Sequence, residues 1–141
     1  MKLFTIAEAT TVLIEIEPLV AELKATFAKI RREIAAASRA SGVSASSPRL
    51  SQHIEERGIA GGLAEAANDL IRRIQERGCV VNGPEAGLID FPALLGSEIV
   101  FLCWKHGEPA IGHWHRIPEG FAGRRPLLDP RMRDVASTTV H

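Results

Sequence analysis

The sequence lacks the features that mark several large classes of protein. Its two cysteines, Cys79 and Cys103, lie outside any CxxC spacing and give no sign of a disulfide framework. The first residues lack the apolar stretch of a secretory signal. No apolar run approaches the roughly 18 residues that a membrane-spanning helix needs. We therefore expect a soluble, cytoplasmic protein in a reducing compartment, with no membrane partner.

An excess charge of either sign is also missing. Lysine plus arginine and aspartate plus glutamate both number 17, so the chain as a whole does not attract nucleic acid or anionic lipid. No GxGxxG or Walker spacing supports a phosphate-binding loop. What the chain does contain is 45% apolar residues in a length of 141, which is enough for one stable core. We expect a single domain over residues 1–141.

The strongest periodic signal lies in the first forty residues. Thr5 followed by Glu8 is a capping-box pattern that places a helix start. Pro18 lies within the run, where it predicts either a kink or the start of a second helix; the unbroken register favours the kink. Apolar residues recur at alternating steps of three and four, which predicts a long helix that packs lengthwise on another helix: Ile6, Ala9, Leu13, Ile16, Val20, Leu23, Phe27, Ile30, Ile34 and Ala37.

A second helical segment is predicted after the small, polar residues 39–47, which read as a loop before Pro48. Its apolar positions run from Leu50 to Ile74, and Gly78 follows its end. Glycines at 58, 61 and 62 favour a local break within it. We expect residues 1–77 to form an antiparallel helical hairpin.

After Gly78 the pattern becomes typical of strands. Residues 79–81 form a short β-prone run, 82–84 read as a turn, and 87–92 read as a strand that ends at Pro92. Residues 98–105 form a continuous apolar strand that should be central and covered on both faces, and 106–109 turn the chain into a returning strand at 110–116. We expect α+β architecture: the helical hairpin packs on a small, mostly antiparallel sheet within 78–128, and 129–141 form a mobile tail.

His113 and His115 are the first candidates for a metal site. Being two apart on a strand, they point to one face, which suits two imidazoles on one divalent metal. If the turn is centred on Gly107 and Glu108, Cys103 lies on the opposite face with Trp114 and is a poor ligand. The alternative, which we favour, is one exposed histidine and one histidine hydrogen-bonded in a buried polar cluster. Both cysteines read as small buried hydrophobes.

A locally cationic stretch follows the returning strand. Arg124 and Arg125 flank flexible backbone there, and they could hold a small anion or contact nucleic acid. Because the chain has no net basic charge, pairing with its own acids, such as Asp90 or Glu108, is the favoured interpretation.

Several strings of the sequence resemble a known family. They are Gly87-Leu88-Ile89-Asp90-Phe91-Pro92-Ala93-Leu94, Leu102-Cys103-Trp104, Gly107-Glu108, Ile111-Gly112, Trp114-His115 and the run from Gly120 to Leu127. Together with Phe4-Thr5, Glu8-Ala9 and Pro18-Leu19, they resemble the signature of a small bacterial family catalogued as domain of unknown function 2203. The resemblance implies no activity, but it implies that a site, if the motif marks one, contains Asp90, Trp104, Glu108, His115 and Arg124.

Three functions remain open at this stage. The first is a non-catalytic structural or interaction protein that forms a helical homodimer, because the heptad stripe is long for one partner helix. The second is a small metal- or anion-binding protein or enzyme with a polar site at the C-terminal β-hairpin. There Asp90 or Glu108 would be the acid or base, His115 a proton carrier or ligand, and Arg124 the anion holder. Binding of nucleic acid is a third, less favoured prediction.

Overall fold

The structure is a computed structural model that describes residues 1–42, 44, 46–49 and 61–127. Helix α1 spans Ile6–Ser41 and continues through Pro18, as the unbroken register predicts. The predicted capping box is confirmed at its start. The Glu8 backbone N–H donates to Thr5 Oγ1, and the Thr5 N–H donates to Glu8 Oε1, each at 2.9 Å. These two bonds satisfy amide groups that would have no partner within the helix.

Helix α2 spans Gly61–Gln75 and packs against α1. Just after its end, the Arg77 Nε donates to Glu15 Oε2 in the first half of α1 at 3.1 Å. The end of one helix therefore lies beside the start of the other, which is the predicted antiparallel arrangement. The predictions for Leu50, for Gly58 and for the tail 129–141 lie outside the described residues. Within the described part of the chain, no helix is long and apolar enough to cross a membrane.

The C-terminal half forms a five-stranded antiparallel sheet in sequential order, with β3 at its centre as predicted. The strands are β1 (Val80–Gly83), β2 (Leu88–Leu95), β3 (Glu98–Lys105), β4 (His113–Arg116) and β5 (Arg125–Pro126). Two short 3-10 helices, Ile117–Glu119 and Phe121–Gly123, lie between β4 and β5. The chain thus has the expected α+β architecture.

Three strand predictions were wrong in detail. Asn82 and Gly83 belong to β1, not to a turn, and β2 continues past Pro92 to Leu95. The returning strand β4 begins at His113, not at residue 110. Pro92 is tolerated because its carbonyl oxygen faces away from β3 and accepts the Phe4 backbone N–H at 2.7 Å. In a strand the N and O of one residue point to the same side, so the missing N–H of Pro92 removes no bond to β3.

The core lies between the helices and the inner face of the sheet. The Phe4 and Phe91 rings meet edge to face at 5.3 Å and join the N-terminal segment to β2. The buried seam residues of α1 and the inner residues of the strands form one hydrophobic cluster. On the strands, the residues of this cluster are Ile89, Phe91, Ala93, Leu95, Val100, Leu102, Trp104 and Trp114.

Candidate metal centre

The outer face of the sheet carries polar side chains where the inner face is apolar. Side chains alternate between faces along a strand, so Asp90 on β2, Cys103 on β3 and His115 on β4 all point outward. Asp90 pairs directly with Cys103 across β2 and β3, and Cys103 pairs with His113 across β3 and β4. His115 lies one step further along β4, opposite Phe101. Three potential metal ligands from three neighbouring strands therefore lie side by side.

The prediction that Cys103 lies on the opposite face from His113 and His115 was wrong. It assumed a turn centred on Gly107 and Glu108, whereas the whole stretch 106–112 connects β3 to β4. The pairing register is therefore shifted by one residue, and such a shift transfers every side chain to the other face. Trp114 pairs with Leu102 on the inner face, and Cys103 shares the outer face with both histidines.

Asp90, Cys103 and His115 form a compact and buried cluster, which we call the triad. At most 2% of the surface of any of the three residues is exposed. Their candidate ligand atoms, a carboxylate oxygen, the sulfur and an imidazole nitrogen, all lie within 4.8 Å of one another. His115 Nε2 lies 3.1 Å from Asp90 Oδ1, and the side-chain amide of Asn82 donates to Asp90 Oδ2. Neighbouring strands of the sheet thus fix the positions of the three side chains.

Hydrogen bonding fixes the orientation of the His115 ring. Its Nδ1 lies 2.8 Å from the carbonyl oxygen of Arg116, which can only accept, so Nδ1 carries the proton. Nε2 therefore faces Asp90, and one further proton lies between these two groups in the metal-free protein. A histidine whose Nδ1–H is bound to a backbone carbonyl presents Nε2 in the form that binds metals.

The Cys103 thiol is neutral in the metal-free protein. Burial and, after it, the neighbouring Asp90 carboxylate raise its pKa to about 12, because both disfavour the thiolate. The positive charge of Arg124 acts in the opposite direction but is outweighed. A cation bound beside the sulfur would act against both causes and stabilise the thiolate.

A cavity of about 360 Å³ opens beside the triad. Asp90, Cys103 and His115 all contribute to its lining, so the cavity adjoins the triad. The segment between β4 and β5 covers part of the outer face and forms one wall, as expected for a central strand covered on both faces. The remaining lining residues are Asn82, Leu88, Phe101, Ile117, Gly120 and Phe121.

Three of the other predicted site residues, Glu108, Arg124 and His113, form a second cluster beside the triad. An Arg124 Nη2 donates both to Glu108 Oε2 and to His113 Nδ1, and the Lys105 backbone N–H donates to Glu108 Oε1 at 2.7 Å. Arg124 thus pairs with an acid of its own chain, as the favoured interpretation expected. Trp104 lies on the inner face, where its indole N–H donates to the Glu108 carbonyl oxygen at 3.0 Å and anchors the connection after β3.

The structure therefore divides the predicted site residues between two clusters on the outer face, apart from Trp104 in the core. Asp90 and His115 lie in the triad, while Glu108, Arg124 and His113 form the neighbouring ion-pair network. His113 and His115 share a face, but the Nδ1 of His113 is used by Arg124. Cys103 and Asn82 were missed as contributors, since only the strand register reveals that they contact Asp90.

Comparison with known proteins places the chain in a family. The family model described as "Uncharacterized conserved protein (DUF2203)" matches residues 2–127. The chain belongs to this DUF2203 family. The match includes every strand of the sheet and the whole triad, and it confirms the resemblance seen in the sequence. Searches of the curated proteins and of the solved structures gave no match.

Proposed function

We propose that this DUF2203 protein binds one divalent transition metal ion, zinc being the best fit, through Asp90, Cys103 and His115. The observation that supports this most strongly is the buried triad with its ligand atoms within 4.8 Å of one another. Thiolate, imidazole and carboxylate together are a ligand set typical of zinc, whereas magnesium and calcium prefer oxygen ligands alone.

The surroundings of the triad support the proposal. Metal-bound histidines commonly donate their other ring N–H to a carbonyl, and His115 donates Nδ1–H to the Arg116 carbonyl oxygen. Metal-bound carboxylates are commonly hydrogen-bonded in turn, and the Asn82 amide donates to Asp90 Oδ2. Both ligands are therefore oriented by groups outside the triad.

The charge of the site also suits a divalent ion. In the metal-free protein, the Asp90–His115 pair with its shared proton and the neutral Cys103 thiol have no net charge. A divalent ion that replaces that proton and the thiol proton leaves carboxylate, thiolate, neutral imidazole and cation, which again sum to zero. A buried site tolerates this exchange because no uncompensated charge is created.

The arrangement favours an open site over a closed structural one. Structural zinc sites are closed by four protein ligands, while catalytic sites combine three protein ligands with a water or substrate. The triad supplies three ligands, and the cavity adjoins them. We therefore propose a site at which a metal ion can activate or bind a small molecule.

Metal titration of the chelator-treated protein tests the proposal. We expect wild type to bind one equivalent of Zn²⁺, and Cys103→Ser to bind it at least tenfold more weakly. Cys79→Ser is the matched control, because Cys79 is also buried but its thiol donates a hydrogen bond to the Ile74 carbonyl oxygen. Asp90→Ala and His115→Ala should lose affinity as Cys103→Ser does, with folding checked by circular dichroism. Equal zinc binding by folded Cys103→Ser and wild type would contradict the proposal.

The homodimeric interaction protein remains a second prediction. It is supported by the length of α1 and by Phe27, Ile30 and Ile34 in its second half, which are only partly buried. The first half of the seam, from Ala9 to Leu23, is already buried within the chain, so it does not need a second copy. Sedimentation at several concentrations tests it, and a constant monomer mass would contradict it. A cytoplasmic location, which suits two unpaired buried cysteines, also stays a proposal.

A further inference from the structure

We infer that the cavity beside the triad binds a small organic carboxylate with an apolar body, the carboxylate reaching the metal and the body lying against the cavity wall. The inference rests on the proposed metal site and adds a class of ligand to it. A volume of about 360 Å³ is at the lower end of the range of small-molecule sites, about 300–1,000 Å³, and suits a single ring or a short branched chain.

The wall of the cavity selects an apolar body. Four of its lining side chains are apolar: Leu88, Phe101, Ile117 and Phe121. Ile117 and Phe121 are 49% and 41% exposed, although most large apolar side chains of the described residues are buried. Exposed apolar side chains at the edge of a cavity mark a surface that gains by being covered.

One cation near the cavity favours an anionic ligand. A carboxylate added to the neutral metal site brings one negative charge, which needs a cation nearby. Arg124 is already paired with Glu108, but Lys105 forms no ion pair within the described part of the chain. Lys105 projects from the outer face opposite Leu88, and its Nζ lies 5.8 Å from the centre of the Phe121 ring. Lys105 therefore supplies a compensating charge at the edge of the cavity.

Titration of the Co²⁺-loaded protein with sodium benzoate tests the inference, because the visible spectrum of Co²⁺ reports a change of its ligands. We expect saturable spectral changes with benzoate. Acetate, which lacks the ring, should bind at least about tenfold more weakly than benzoate, since burial of the ring supplies much of the affinity. Benzyl alcohol, which lacks the carboxylate, and inorganic phosphate, which lacks the apolar body, should both bind more weakly than benzoate.

Two surface variants connect the binding to this cavity. Phe121→Ala should weaken the binding of benzoate about tenfold, and Lys105→Gln should weaken it severalfold. Both variants should keep the Co²⁺ affinity of wild type. Ile14→Ala, which removes an exposed apolar side chain on α1, is the control and should change neither.

The outcomes separate this inference from the proposed function. Failure to bind Co²⁺ would contradict the metal site itself. A Co²⁺ spectrum that benzoate leaves unchanged would overturn the inference while the metal site stands. Stronger binding of phosphate than of benzoate, or benzoate binding that Phe121→Ala does not weaken, would overturn it as well.

Discussion

Asp90→Asn is the substitution whose effect on stability the structure predicts most fully. The Asp90 carboxylate accepts hydrogen bonds from the Asn82 side-chain amide and from the His115 ring on its two oxygens. An asparagine amide has the same shape but replaces one oxygen with a donor. One of the two neighbouring donors would then face another donor in a buried site.

The size of the effect follows from burial. Removing one partner of a buried charged pair costs about 3–5 kcal/mol, and a single hydrogen bond to a charged group contributes about 1.5–3 kcal/mol. Since the Asn82 bond can survive on the remaining oxygen, we expect Asp90→Asn to lower the free energy of unfolding by about 3 kcal/mol without metal. In wild type, free zinc at 100 times its dissociation constant should add about 2.7 kcal/mol, and the variant should lose most of that gain.

Urea unfolding followed by circular dichroism, with and without zinc, measures both effects. Glu85→Gln is the matched control, because it makes the same chemical change at an exposed position in the turn between β1 and β2. It should change the free energy of unfolding by less than about 0.5 kcal/mol. The reasoning is refuted if Asp90→Asn is as stable as Glu85→Gln and keeps the full stabilisation by zinc.

Three further predictions concern other parts of the fold. A β-carbon at Gly123 would lie 2.5 Å from Glu119 Cβ, so Gly123→Ala should lower the free energy of unfolding by about 1–3 kcal/mol, as thermal unfolding can measure. A β-carbon at Gly112 would meet nothing within 4 Å, so Gly112→Ala should leave the stability unchanged, and equal stabilities of the two variants would be inconsistent with this packing. Burial raises the pKa of Cys79 to about 11, so at pH 8 iodoacetamide should label Cys79 far more slowly in the native protein than in urea. Mass spectrometry measures the two labelling rates, and equal rates would argue against the burial of Cys79. The Arg116 backbone N–H, and after it Arg125, lower the pKa of Glu119, so the contribution of Glu119 to stability is full above its ordinary pKa and is lost as the pH falls through the lowered pKa. Glu119→Gln should therefore reduce the dependence of the unfolding free energy on acid pH, and an unchanged pH profile would refute this.

The helical half could be predicted because its signals are local. The heptad spacing and the capping box at Thr5 depend only on neighbours within one or two turns, and both the helix and the cap are present. The tightest hairpin of the sheet was missed although its signal is also local. Gly96 and Ser97 join β2 to β3, and Gly96 has φ +62°, a conformation that glycine adopts readily in two-residue turns.

The site could be predicted only in part because it depends on strand register. Asp90 was a candidate from the family resemblance, and His115 both from that resemblance and from its spacing to His113. The structure places the two in contact. Cys103 was assigned to the wrong face, because the pairing register of the returning strand differs by one residue from the predicted one, and such a shift reverses the face of every side chain. The sequence contains no local signal for that register, since the connection is held by the Trp104 and Glu108 contacts that form only in the folded chain.

X-ray absorption at the zinc edge of the metal-loaded protein tests the central claim most directly. The account predicts one sulfur at about 2.3 Å and nitrogen and oxygen ligands at about 2.0–2.2 Å, with an imidazole contribution from His115. The sulfur signal should persist in Cys79→Ser and disappear in Cys103→Ser. A zinc ion with no sulfur ligand in wild type, or a sulfur signal that remains in Cys103→Ser, would contradict the account.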